Sequence, residues 1–386
     1  MTALLVSLAL LQPPGRPAPA DDWQAAEHKH LTNVRQVTTG FVRAGEGYFS
    51  PDGKRIIYQA EEKGTGNPFY QIFVQDLATG SFRRISPGVG RTTCAYFHPT
   101  KDRVMFASGH TDPEAKKHQA EEVARRADEA AKGVRRRYSW DFDPFMKIYE
   151  ADPDGSHLVC LTLDAKAYTA EGSYSADGKR IVYASGNAGD VQIYVADADG
   201  KNAKAITTAK NCYNGGPFLS PDGTKVVFRS DRKEKDRLQL YVVNADGTGE
   251  KALTNDDKWV YWAPYWYADN KHVIYTAADH GDESKRPNYD LYWMRVLPDE
   301  NPAKTSENKE NGPRGRALNP GKNALPGGTS VPDSVPAGKP VRLTFNPGQD
   351  VLPVFSPDGK KVMWTSSRGG GGGTQLWIAD FTPPKD

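Results

Sequence analysis

Asp141 and Asp143 flank Phe142 immediately after Trp140, on a stretch that follows the arginine run 135–137. Two carboxylates separated by one aromatic can cap a channel and present side chains to a ligand, although such pairs are too common on loops to argue a glycosidase by themselves. The plainer reading has Trp140 and Phe142 stapling a loop to the body while the acids pair with the arginines. A second set comprises Glu46, Glu171, Asn214, Tyr261, Trp262 and Asp350, each near the start of one unit of a repeat, with His280 on the loop Thr276–Tyr289. Gathered at a channel mouth, such residues would bind a cation or a basic or sugar ligand. A divalent cation is the one cofactor they suggest. The ordinary alternative is solvated polar groups at strand ends. Asp231 and Arg232 read as a hairpin-turn ion pair.

Signatures of catalysis are scarce. The chain has no GxSxG elbow, HExxH helix or GxxxxGK[ST] loop, and its eight histidines and three cysteines show no zinc spacing. A net charge of +2, with basic and acidic residues intermixed, argues against nucleic acid as a partner.

The elements that must position these residues are repeated hairpins. YFSPDGKRIIY (Tyr48–Tyr58) returns as YFHPTKDRVMF (Tyr96–Phe106), SYSADGKRIVY (Ser173–Tyr183), FLSPDGTKVVF (Phe218–Phe228), YWYADNKHVIY (Tyr265–Tyr275) and VFSPDGKKVMW (Val354–Trp364). Proline fixes φ, aspartate bonds the backbone of its own turn and glycine accepts φ > 0, so each copy reads as strand, tight corner, strand. A second pair of strands follows, as in QIYVADADGKNAKAIT (Gln192–Thr207) and QLYVVNADGTGEKALT (Gln239–Thr254). Four short strands per unit predict an all-β, six-bladed β-propeller of four-stranded antiparallel blades. The last blade lacks its fourth strand, while VRQVT (Val34–Thr38) resembles the strand that is missing. The N-terminal strand is therefore expected to close the last blade and remove the exposed edge.

Two units are stretched. Blade 2 carries an insertion over about 109–146, in which Pro113–Lys132 predicts a helix with a thin apolar stripe at Ala120, Val123, Ala124, Ala127 and Ala131. Blade 5 carries a Pro-, Gly- and Asn-rich insertion over about 297–339, expected to be a mobile loop. Residues 1–20 read as a signal peptide and 21–386 as a single propeller domain, which places the chain in the periplasm or outside the cell. No segment is apolar for long enough to span a bilayer. Cys94, Cys160 and Cys212 are expected as free thiols, because Cys94 and Cys212 fall in non-adjacent blades.

FSPDGKRIIY, YSADGKRIVYAS and FLSPDGTKVVFRSDR, with partners such as IYVADADG and LYVVNADG, resemble the propeller repeats of the TolB family over about residues 31–382. The resemblance implies a six-bladed propeller of the Tol-Pal envelope system type that binds protein partners without chemistry of its own, and the chain is expected to be a monomer. Within this sequence no separate α/β domain precedes the repeats, as one does in TolB, and both insertions are foreign to that family. Two functions are therefore carried forward. One is a scaffold binding a protein or an envelope polymer through the face of Trp140 to Asp143. The other is a catalytic propeller, a polysaccharide lyase or hydrolase using the acids at the channel mouth. Three or more of Glu46, Glu171, Asp141, Asp143, Asp350 and His280 within metal-ligand distance would favour the enzyme, and dispersed acids beside exposed aromatics the scaffold.

Overall fold

The corners of the repeat fold as their chemistry dictates. Asp52 accepts the Ser50 hydroxyl at 2.6 Å and the Lys54 amide at 3.0 Å. Ser175 with Asp177, Ser220 with Asp222 and Ser356 with Asp358 repeat the 2.6 Å bond. The glycine that follows holds φ of 68–70° in all four corners, a region that penalises any Cβ. The aspartates are thus committed to turns, as expected.

The chain is seen in a computed structural model that describes residues 23–134, 142–282, 284–296, 339–370 and 373–385. Six separate four-stranded antiparallel sheets follow in chain order, with inner strands Arg43–Phe49, Thr92–Phe97, Tyr168–Tyr174, Asn214–Leu219, Trp259–Trp266 and Asp350–Phe355. Each inner strand packs against those of its two neighbours, and the sixth meets the first, so the sheets close into a ring. The second strands are buried on both faces, as at Ile56–Ile57–Tyr58 and Val362–Met363–Trp364, because every blade is sandwiched between two others. Burial on both sides explains why these runs are continuously apolar rather than alternating.

The ring closes where the two termini meet. Leu31–Gln36 pairs with Gln375–Phe381 in the sixth sheet, from Leu31 opposite Phe381 to Gln36 opposite Trp377. The strand begins three residues before the expected Val34, since Leu31 is itself buried in that blade's core. Ahead of it a short helix, Trp23–His28, drops Glu27 onto Arg368 at 3.1 Å, and Arg368 reaches Asp350 at 2.7 Å. All three side chains are at most 6% exposed.

The blade 2 insertion forms the helix Ala115–Ala131, but the stripe that docks it is ionic. Glu122 is buried and binds Arg126 at 2.7 Å, while Arg126 also holds Glu61 at 2.9 Å and the Pro68 carbonyl at 2.9 Å. Ala120, Val123, Ala124 and Ala127 face solvent instead. Alanine offers too little apolar area to orient a helix against a competing buried ion pair. The blade 5 insertion falls almost wholly on 297–338, and the signal segment on 1–20, both outside the described residues. Among the described residues no helix is long and apolar enough to cross a membrane. The three cysteines are free.

Candidate functional site: a blind well on the propeller axis

Every inner strand breaks its register at the same place, and each break carries one residue in the left-handed region. These are Glu46, Cys94, Glu171, Gly216, Ala263 and Leu352, with φ between 46° and 59°. A bulge of this kind turns the strand and re-aims one side chain. Here it directs Glu46, Cys94 and Glu171 from blades 1 to 3 toward one another, with glycine, alanine and leucine at the matching positions of blades 4 to 6. The wall is therefore polar on one side and apolar on the other.

Two residues further along, blades 1, 2, 4 and 5 carry the rings that close the passage, Tyr48, Tyr96, Phe218 and Tyr265, with Ser173 and Val354 at the matching positions of blades 3 and 6. Tyr48 lies 5.9 Å from Phe218, a residue of the opposite blade, and 5.0 Å from Tyr96. Tyr96 and Tyr265, also from opposite blades, join hydroxyls at 2.9 Å. Contacts across the axis leave no room for a through-channel at this level. The mouth face thus opens into a well with an aromatic floor.

Glu171 is saturated. It accepts the hydroxyls of Tyr168 at 3.2 Å and Tyr213 at 2.6 Å, the Gly216 amide, and Arg229 at 3.2 Å. Arg229 also donates to Tyr213 at 2.8 Å and lies 5.8 Å from the Trp262 ring centre. Burial works against the Arg229 charge, yet Tyr213 and Glu171 hold its pKa above the ordinary arginine value. Glu46 differs. Its side-chain partners are the Tyr48 hydroxyl, at a long 3.3 Å, and the weakly donating Cys94 thiol, and it keeps partial solvent access. Burial pushes its carboxyl up to about 7, the thiol bond offsets part of that rise, and the nearby Glu171 charge adds to it. Burial and the same two carboxylates push the Cys94 thiol well above its usual value, so it stays protonated.

Of the residues singled out in the sequence, Glu46 and Glu171 share this well and the others do not join them as ligands. Asp350 is fully buried against Arg368 and the Trp364 indole at 3.0 Å, a structural pair rather than a mouth residue. Asn214 is likewise buried and bonded to Arg232 at 2.6 Å, and Arg232 turns to Glu250 instead of Asp231. Asp143 accepts the Phe145 amide at 2.8 Å in a turn against Gly109. Trp262 stands beside Arg229 and Tyr289, and His280 bonds the Tyr289 hydroxyl at 2.8 Å. Trp140 and Asp141 lie outside the described residues. Their neighbour Phe142 packs on Tyr168 and Tyr213, two of the rings that hold Glu171, so the end of the insertion reaches the well's rim.

Cys94, Tyr213 and Arg229 were not singled out. A signal for Cys94 was present: Glu46, Cys94 and Glu171 each stand three residues before the aromatic that opens its hairpin, Phe49, Phe97 and Tyr174. On the opposite face a groove of about 720 Å³ between blades 1 and 2 is lined by Asp76, Asp102, Asp152 and Asp154, whose carboxylates are committed to turns and ion pairs.

A closed ring of six four-stranded blades with a polar axial well defines the class as a six-bladed β-propeller. A family model described as the TolB beta propeller domain matches residues 162–313, and the chain is a TolB-like six-bladed propeller. The structure of a putative TolB from Agrobacterium tumefaciens is 18% identical, with a TM-score of 0.49 over 69% of this chain and 86% of that one. TolB from Acinetobacter baumannii is 18% identical, with a TM-score of 0.43, over 68% of this chain and 59% of its own. An oligogalacturonate lyase in complex with manganese is 15% identical, with a TM-score of 0.50, over 90% of this chain and 93% of that one. No curated protein matches the chain. At 15% identity the lyase structure speaks to the fold alone.

Proposed function

We propose that the chain is a binding propeller of the cell envelope, which receives part of a protein partner or envelope polymer at the mouth of the axial well. The observation that carries this reading is the commitment of the acids. Glu171, Asp350 and Asp143 spend their oxygens on phenols, arginines and a turn, while aromatic groups, Trp262, Tyr289 and Phe142, stand around the rim. Aromatic rims with buried, paired charges are what interfaces use for anchoring. Secretion to the periplasm accords with the signal-like residues 1–20.

The test is capture from an envelope extract by the intact chain, beside a Trp262→Ala/His280→Ala variant and an opposite-face control, Phe82→Ala/Arg83→Ala. A partner lost only with the rim variant supports the reading. Equal capture by all three removes it.

A second reading, a polysaccharide lyase or hydrolase, is favoured by the placement of Glu46, a partly exposed carboxyl above an aromatic floor whose pKa burial pushes up to about 7, as suits a general base. It requires cleavage of an acidic oligosaccharide such as oligogalacturonate, with or without added manganese, that disappears in Glu46→Gln.

A further inference from the structure

The two carboxylates of the well differ in what they lack. Glu171 has four donors, one of them a guanidinium. Glu46 has a phenol at 3.3 Å and a thiol, although a carboxylate accommodates about four hydrogen bonds. Among the described residues the cation that acts on Glu46, Arg229, is already bound to Glu171 and Tyr213. Glu46 is thus partly accessible above the aromatic rings, in a ring of bulges whose members from blades 4 to 6 are Gly216, covered by Arg229, Ala263 and Leu352. The repeat geometry supports that placement: the Glu46 amide donates to the Thr365 hydroxyl at 2.9 Å and the Leu352 amide to that of Thr276 at 3.1 Å.

We propose that the well binds a primary ammonium group carried on an apolar stem, with Glu46 as its counter-ion and the Tyr48–Tyr96–Tyr265 floor and the Ala263–Leu352 wall receiving the stem. This deepens the binding reading above and rests on it. An ammonium brings three donors and one positive charge to the group that lacks both. A divalent cation fits less well, because Glu171 is saturated and the thiol is protonated, leaving one carboxylate where such ions take six or more oxygens. An anion would meet the Glu46 charge, and Arg229 is already committed to Glu171 and Tyr213. The groups facing Glu46 from the packed elements are Tyr48 on its own strand, Cys94, Glu171, Arg229 and Tyr70. Burial raises the pKa of each of the three uncharged groups among them, so Glu46 is the member whose charge changes near neutrality.

The probe is n-butylammonium, titrated against the full chain by saturation-transfer NMR at pH 8 and pH 6, with n-butanol as the neutral analogue and Mn²⁺ as competitor. The expected result is saturable binding at pH 8, about tenfold weaker at pH 6 as Glu46 takes up its proton, and at least about tenfold weaker for n-butanol. Glu46→Gln should abolish the preference for the amine. Equal binding of amine and alcohol, no pH dependence in the native chain, no saturation at all, or stoichiometric displacement by micromolar Mn²⁺ would each overturn the proposal. The first two comparisons use only the native protein, so they decide even if the variant does not fold. Partner capture that survives Glu46→Gln while butylammonium fails to bind would remove this occupant and leave the binding face standing.

Discussion

Tyr96 and Tyr265 are 169 residues apart in sequence, belong to opposite blades, and meet hydroxyl to hydroxyl at 2.9 Å on the axis of the ring. The bond ties together blades that share no other edge. Replacing either tyrosine by phenylalanine leaves the other hydroxyl without its partner, which should cost about 1 to 3 kcal/mol. Replacing both removes donor and acceptor together, and the double variant should lose clearly less than the sum. Urea denaturation of the four proteins measures the coupling. Strictly additive losses would show that the two hydroxyls are not bonded.

Arg368 holds two buried carboxylates from distant parts of the chain, Glu27 and Asp350. Arg368→Met should therefore destabilise the ring by about 3 to 5 kcal/mol, since both acids are left uncompensated. Glu27→Ala should cost less, because Arg368 keeps Asp350. Chemical denaturation gives the order directly, and a larger loss for Glu27→Ala would contradict this account of the latch.

Glu46 supplies a pH dependence of known sign. Its folded pKa of about 7 lies above the ordinary carboxyl value, so between about pH 4.5 and 7 the folded state binds more protons than the unfolded one. Its contribution to stability is then greatest at acidic pH and falls as pH rises through 7. Asp290, also raised to about 7 by burial against the pull of Arg342, acts in the same direction. Comparing Glu46→Gln with the native chain isolates the first group. The variant should be the more stable at pH 8 and nearly equal at pH 5, as read from denaturation midpoints at the two values. A difference that grows toward acid would reverse the sign.

The blades were legible because their signal is local: Ser50 and Asp52 bond across one turn, and the corner recurs with the same chemistry down the chain. Ring closure could be read for a related reason, since one strand was missing at one end and surplus at the other. The well was half legible. Glu46 and Glu171 stood out as the carboxylates of their strands, whereas Cys94 in TTCAYF reads as one more core residue until the copies are set in register. The same register separates Asp350 and Asn214, which stand two residues before the bulge rather than on it. Their burial depends on Arg368 and Arg232, partners that folding alone brings into place.

The docked helix is where sequence pattern and packing disagree most, and it yields the last prediction. Arg126 joins Glu122 on the helix to Glu61 on blade 1, with both carboxylates at most 8% exposed. Removing it does not leave bare charges, because Arg43 still reaches Glu61 at 2.8 Å and Arg125 still pairs with Glu122. Arg126→Ala should thus lower global stability by only about 1 to 2 kcal/mol, less than the loss of an unshared buried ion. Its local effect should be greater, since the alanine-lined face offers no apolar contact to retain the helix. Limited proteolysis and amide hydrogen exchange should show residues 115–131 opening well before the blades. Val123→Ala, on the exposed face, should change neither measurement. If the two substitutions behave alike, the ionic stripe is not what docks the helix.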